Sequence, residues 1–179
     1  MTVAPEQYFL EPTPHCPNNR FPVLIYRNIL PTPYNEATAR AYLEKNGWYW
    51  QGTFGAVTYR HFHPNTHECY GIFQGSSTLL VGQGAADRDG GIKFTVSGGD
   101  VVVIPAGVAH CSVESEGDYR YVGVYPKGAP HWRNEYGKKP MEPGAFDEEI
   151  GNVGVPEDDP VSGAGGPLVS IWNEISASA

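Results

Sequence analysis

The sequence predicts an all-β sandwich or barrel forming one domain, on three observations. Between Gly47 and Pro126, short runs of β-branched and aromatic residues alternate with Gly-containing breaks. Only one segment, Asn35 to Asn46, carries a convincing helical pattern. With 179 residues, 40% of them hydrophobic and 12% aromatic, the chain can build one real core, and two would be cramped.

The elements follow in order. From Thr2 to Pro33, seven prolines (Pro5, Pro12, Pro14, Pro17, Pro22, Pro31 and Pro33) forbid a long helix, and an extended arm is expected. Phe21 to Leu30 has room in that arm for one edge strand. The short helix then has Asn35 as N-cap, alanines at 37, 39 and 41, Tyr42 and Leu43 facing inward, and Gly47 at its stop. The expected strands are Gly55-Ala-Val-Thr-Tyr-Arg, Ile72-Phe-Gln, Thr78-Leu-Leu-Val, Ile92-Lys-Phe-Thr-Val, Val101-Val-Val-Ile and Tyr119 to Tyr125. Gly82 to Gly91, with Asp87-Arg-Asp-Gly-Gly, reads as a connecting loop.

Beyond Pro126 regular patterning is lost, while Pro130, Pro140, Pro143, Pro156, Pro160 and Pro167 recur among acidic pairs. Trp132, Phe146, Val153, Val155, Leu168, Ile171 and Trp172 give this tail apolar anchors, so it is expected to strap along the barrel. The chain thus divides into an arm with a short helix (1–46), a barrel (47–126) and an extension packed on it (127–179), one domain overall.

Bulk properties exclude several functions. A net charge of −8 disfavours nucleic acid and anionic lipid as partners. The longest apolar stretch, near Val101 to Ile104, is far short of the roughly 20 residues of a membrane span. Met1 to Leu10 has neither the basic nor the apolar region of a secretory signal. The three cysteines, Cys16, Cys69 and Cys111, have spacings that make no disulfide framework. A cytoplasmic protein is the expectation, without nucleic-acid or membrane partners.

Two motifs carry the chemistry. Gly55, His61, His63, Glu68 and Gly75 form the first; Gly99, Pro105, Gly107 and His110 form the second, of the type G-x5-P-x-G-x2-H. Residues two apart on a strand share a face, so His61 and His63 point one way with Tyr59 beside them. Pro64-Asn-Thr-His turns the chain, and Glu68 starts the return strand with Tyr70 and Ile72 on its face. Gly99-Asp100 and Pro105-Ala-Gly107 turn around a buried strand, and His110 heads the next. Three imidazoles and a carboxylate suit a divalent transition metal, with His61, His63, Glu68 and His110 as ligands. Cys69 and Cys111 fall on the opposite faces and should point away. His67, next to Glu68, is expected at a turn or behind the ligands, the alternative being that it swings inward at the end of the turn; His15 and His131 read as surface residues. Arg60 should face outward. Neither Gly82-x-Gly84 nor Gly163-x-Gly165 has the strand-to-helix setting of a phosphate loop.

The two units match the paired motifs of the cupin superfamily, and the chain resembles a group of single-domain cupins over most of its length from Gly47 onward. That likeness includes His-Phe-His-x-x-x-His-Glu at 61–68, Asp-Val-Val-Val-Ile-Pro-Ala-Gly-Val at 100–108 and Asp-Pro-Val-x-Gly-x-x-Gly-Pro at 159–167. The resemblance implies a single jelly-roll barrel (double-stranded β-helix) with a Pro-rich N-terminal arm, one short helix and an extended C-terminal tail. It implies one metal per chain, held by His61, His63, Glu68 and His110. The family's second motif often ends in Asn four residues after its His; here Glu114 stands there, and since that Asn is not usually a ligand, the metal assignment stands.

Two functions compete. With four protein ligands, Mn, Fe, Ni or Zn keeps coordination positions free for a small-molecule substrate, or for substrate and dioxygen. Dioxygenase-like oxidation then leads, followed by decarboxylation or isomerisation, with Glu68, Tyr59 and Tyr70 as candidate catalytic groups. The alternative is a non-catalytic metal- or small-ligand-binding module. Open coordination positions favour the enzyme. The arm's possible edge strand needs cover, and cupins of this kind are commonly dimers, so a homodimer is expected.

Overall fold

Alternation along a few strands sorts the sequence into two apolar layers, one inside a barrel and one outside it. The structure, a computed structural model, describes residues 3–178; Met1 and Thr2, the start of the expected arm, and Ala179, at the end of the expected tail, lie outside the described residues. The strands are β1 (Glu6–Tyr8), β2 (Val23–Tyr26), β3 (Trp48–Phe54), β4 (Glu68–Val81), β5 (Ile92–Ser97), β6 (Val101–Ile104), β7 (His110–Pro126), β8 (Asp158–Asp159) and β9 (Gly163–Ala164). The main antiparallel sheet runs β1-β2-β6-β4-β7-β3, and β5 pairs with the far half of β4.

Strand β4 is the spine. Its first residues, Glu68 to Gly71, pair with β6, its last, Ser76 to Val81, pair with β5, and β7 follows it along nearly its whole length. Register shifts between Ile72 and Gln74 and between Gln74 and Ser76 mark bulges, the usual means of bending a strand around a barrel corner. A single bent strand thus replaces the two short strands expected at Ile72 and Thr78. The expected strand at 55–60 is absent: pairing with β7 is taken by Trp48–Phe54 instead, and residues 55–60 run as a loop into His61.

The run Val101-Val-Val-Ile lacks polar alternation because both its faces are buried. Val102 and Ile104 join Val23, Ile25, Tyr70, Ile72, Phe94, Tyr119 and Tyr121 in the lumen. Val101 and Val103 join Leu24, Tyr26, Cys69, Val122 and Val124 in the outer layer, beneath Leu43, Leu168 and Trp172. Helix α1 (Glu36–Lys45) supplies Leu43; Asn35 caps it by accepting from the Thr38 amide, as the sequence predicts.

Three expectations need correction. Strand β2 is not an edge, since β1, inside the Pro-rich arm, covers it. The helix α1 is joined by two more, α2 (Asp147–Val153) and α3 (Pro167–Ala177), so the tail is not simply extended. Pro167 stands at the first turn of α3, where a missing N–H costs nothing and the fixed φ suits a helix. And His15 is no free surface residue: its Nδ1 lies 2.6 Å from Asp87, tying the arm to the loop after β4.

The tail is fastened by Asp159, fully buried. Its Oδ1 accepts from the Val161 and Ser162 amides at 2.7 and 2.9 Å, and its Oδ2 accepts from the Leu168 amide at 2.8 Å and from the Tyr26 hydroxyl on β2. One carboxylate therefore holds the turn before α3, the first turn of α3 and the barrel wall. Trp172 of α3 then stacks on Phe21 at 4.9 Å and 6°. The motif at 159–167 is thus a clasp. No helix among the described residues is long and apolar enough to cross a membrane.

Replacing Asp159 with Ala leaves three amides and a phenol without their acceptor, the Val161 and Leu168 amides and the Tyr26 hydroxyl among them buried. A loss of at least about 2 kcal/mol is expected in urea denaturation, because each unmet buried donor costs about 1–3 kcal/mol. An unchanged denaturation midpoint would refute the clasp.

Candidate metal centre

Backbone pairing brings the two motifs together. The His61 and His110 main chains bond to each other in both directions, at 3.3 and 2.8 Å, and the Gly107 amide donates to the His63 carbonyl at 2.8 Å. Gly107 has φ +85°, and a Cβ there would lie 2.5 Å from the Ile150 side chain and 2.7 Å from the Asn18 carbonyl. Only glycine permits both the conformation and the approach. The short turn at Pro64 and Asn65 returns the chain so that Glu68 opens β4 on the same lumen face.

The imidazoles of His61, His63 and His110 offer nitrogens within 4.8 Å of one another, and all three rings are buried. Each Nδ1 faces a carbonyl: His61 that of Tyr59 at 2.9 Å, His110 that of Val108 at 2.9 Å, His63 that of Arg133 at 3.1 Å. A carbonyl only accepts, so each Nδ1 carries the proton and each Nε2 is left for something else. This is how metal-ligating histidines are oriented.

Glu68 fills the space between two of those Nε2 atoms. Its Oε2 lies 3.0 Å from His63 Nε2 and 3.2 Å from His110 Nε2, while its Oε1 accepts from the Tyr125 hydroxyl at 2.8 Å. His110 Nε2 is buried with no hydrogen bond. A lone pair aimed at a carboxylate oxygen in a dry site is unfavourable by itself, and a cation between these atoms removes the conflict. On that observation the residues present fit a divalent transition metal, with His61, His63, Glu68 and His110 to hold it.

Electrostatics agree with a tightly coupled set. Burial, reinforced by repulsion from His110, pushes His61 down to about 3. Burial also acts against a charged His63, but Glu68 outweighs it and the net shift is upward. Glu68 is held below the usual carboxylate range: burial opposes this, and His63 and His110 overcome it. Without metal, Glu68 is therefore paired with His63 and His110, beside a His61 that burial keeps neutral.

The remaining sequence candidates fall in different places. Tyr70 is in the lumen, stacked on Tyr121 at 3.8 Å, with its ring 6.0 Å from His110. Tyr59 does not share the lumen with His61: it is 54% exposed, because 55–60 is a loop without strand alternation, and its ring leans on His61 at 4.9 Å from the rim. His67 is buried but stands behind the ligands; its Nδ1 accepts from the Ala106 amide at 2.9 Å and its Nε2 donates to the Gly154 carbonyl at 2.7 Å. Burial lowers it to about 4, so it remains neutral as it pins the tail. Cys69 joins the outer layer, facing away from the centre. Glu114 is exposed.

Sequence reasoning missed Tyr125, Trp132 and Arg133. Trp132 stacks on Tyr125 at 5.2 Å and 6°. Asn65 brackets this segment, donating to the His131 carbonyl at 2.9 Å and accepting from the Arg133 amide at 3.0 Å. Phe62 and Glu135 exchange backbone bonds at 2.8 and 2.9 Å. A strap from the C-terminal extension therefore supplies the carbonyl that orients His63.

Comparison with known proteins places this geometry. Residues 53–120, which include all four candidate ligands, match the family model described as Cupin. The chain belongs to the cupin superfamily. Over 173 residues it is 31% identical to uncharacterized protein YjlB of Bacillus subtilis (strain 168), an alignment covering 93% of this chain and 96% of that one. Solved structures with some likeness include a variant oxalate decarboxylase of Bacillus subtilis (22% identity, 70% of this chain, TM-score 0.35) and vicilin from tomato (17%, 64%, 0.36). Procruciferin, an 11S globulin from Brassica napus, is a third (12%, 69%, 0.36). The chain spans only 28–29% of each of those three proteins.

Replacing Asn65 with Ala removes both ends of the bracket on the strap. Amide hydrogen exchange is expected to speed up at Arg133 and Glu135 by about tenfold or more, while the amides of β4 and β6 keep their protection. Unchanged exchange at Arg133 would mean that the strap is held by other contacts.

Proposed function

We propose that this cupin is a metal-dependent enzyme acting on a small oxygen-rich organic substrate, with dioxygenase-like oxidation as the first reaction class and decarboxylation or isomerisation next. The single observation that carries the reading is the convergence of three oriented Nε2 atoms and one carboxylate oxygen in a buried site. Mn, Fe, Ni or Zn bound there supplies a Lewis acid, and Mn or Fe also a redox centre.

The chain's own groups define what can happen around it. Glu68 is the one carboxylate in the ligand set, the group that would take a proton from a substrate carbon or hydroxyl if it were free of the ion. The lumen beyond is lined by Tyr70, Tyr119 and Tyr121, and burial raises all three phenols well above their ordinary range, so they stay protonated. A shallow cleft of about 420 Å³, lined by Tyr59, Arg60, Ala85, Tyr136 and Lys138, adjoins the centre at Tyr59. Its two cations in an otherwise acidic chain suit the approach of a carboxylate-bearing molecule.

A second reading, a non-catalytic metal- or small-ligand-binding homodimeric module, is favoured by closure: His61, His63, Glu68 and His110 are each at most 5% exposed. The homodimer belongs to either reading. Its support is the short edge strand β1 and the neighbouring Phe9, 58% exposed on the arm. Cytoplasmic residence is likewise part of the proposal, supported by three buried, unpaired cysteines.

The test is metal content per chain, on protein made in medium supplied with Mn, Fe, Ni and Zn, beside a His61→Ala/His110→Ala variant. About one ion per wild-type chain and less than about a tenth of that in the variant is expected, since the variant removes two of four ligands. The loaded protein is then offered diketones, phenolic enols and 2-hydroxy acids in an oxygen electrode. Oxygen uptake dependent on metal supports the oxidation reading; full metal occupancy without turnover of any of them, by oxygen or by loss of carbon dioxide, favours the binding module.

A further inference from the structure

We infer that Tyr125 is a positioning residue of the metal centre: its phenol reserves Oε1 of Glu68, so that the carboxylate presents a single oxygen, Oε2, to the ligand set. This rests on the metal-site reading above and adds to it how the carboxylate binds.

The two oxygens of Glu68 are sorted by partner. The Tyr125 hydroxyl is on Oε1 at 2.8 Å; the imidazoles of His63 and His110 are both on Oε2, at 3.0 and 3.2 Å. Rotating the carboxylate so that both oxygens face the imidazoles breaks the phenol bond and leaves a buried hydroxyl without a partner. The phenol cannot follow easily, because its ring stacks on Trp132 at 5.2 Å and 6°, on the strap that Asn65 brackets.

The β7 sequence Tyr121-Val-Gly-Val-Tyr125 provides the room. Gly123 lies on the lumen face between the two tyrosines, and a Cβ there would stand 3.1 Å from the Phe54 ring and 3.6 Å from Glu68 Oε1. The absent side chain lets the Phe54 ring pack against β7, and Oε1 meets the phenol from the same strand. A carboxylate bound through one atom occupies one coordination position where a bidentate one occupies two, so the reserved oxygen keeps a position available for substrate.

Cobalt(II) is the probe, added to the full chain as wild type, Tyr125→Phe and Tyr119→Phe, with visible absorption and affinity as readouts and melting of the metal-free protein as the check on folding. Tyr125→Phe is expected to keep about one cobalt per chain, change the shape and intensity of the d–d bands, and shift affinity by about tenfold, as loss of a group behind a ligand typically does. Tyr119→Phe, which removes a buried lumen hydroxyl with no partner, is expected to alter neither. Superimposable wild-type and Tyr125→Phe spectra with affinities within about twofold would overturn the inference while leaving the metal site standing. So would an equal change in Tyr119→Phe. A wild-type chain that takes up no cobalt overturns the metal reading and this inference with it. Should Tyr125→Phe not fold, Trp132→Leu decides: it frees the Tyr125 ring without touching Glu68, and an unchanged cobalt spectrum in that variant overturns the proposal.

Discussion

Three histidine side chains with their Nδ1 protons committed to backbone carbonyls are the constraint from which the rest of this structure follows. Once Tyr59, Val108 and Arg133 hold those protons, three Nε2 lone pairs must face a common space. Burying them beside a carboxylate is costly unless the group is charged in compensation, by the His63–Glu68 pair or by a cation. Everything nearby serves to keep that space closed and its atoms fixed. The backbone ties between His61 and His110 and between Gly107 and His63 lock the two motifs, and the phenol of Tyr125 fixes the remaining carboxylate oxygen.

This gives the C-terminal extension a reason to exist. A minimal barrel would provide two of the three carbonyls, both from the residue two positions before the histidine, but His63 has its acceptor in the strap at Arg133. That strap is bracketed by Asn65, the following segment is pinned by His67 through Gly154, and the end of the chain is clasped by Asp159 against Tyr26. The extension thus both packs on the barrel and supplies the carbonyl that orients a ligand.

Much of the centre was legible in the sequence because ligand type and period-2 spacing are local properties. His61 and His63, the return through Pro64 to Glu68, and the turn before His110 follow from strand geometry, and so does the outward aspect of Cys69. What was not legible depends on contacts between distant segments. Tyr125 is 57 residues from Glu68 and reads as one more barrel aromatic, since packing is the ordinary role of such a residue. Tyr59 was expected beside His61 in the lumen, but alternation fails where the chain leaves the sheet at Phe54, and its ring ends at the rim. Pro167 and its neighbours read as extended because proline usually breaks helices, whereas at the first turn of α3 it begins one. The one available signal for the clasp was the spacing of Asp159, Gly163, Gly166 and Pro167, which identifies a motif without revealing that its carboxylate has four donors.

The most direct test of the central claim is a long-range ¹H–¹⁵N spectrum of the imidazole rings, recorded while one equivalent of zinc is added. The account predicts that the Nε2 resonances of His61, His63 and His110 move together and saturate at about one zinc per chain, with their Nδ1 protons retained and His67 unaffected. Loss of the Nδ1 protons, movement of His67 with the set, or an unmoved His110 would contradict it.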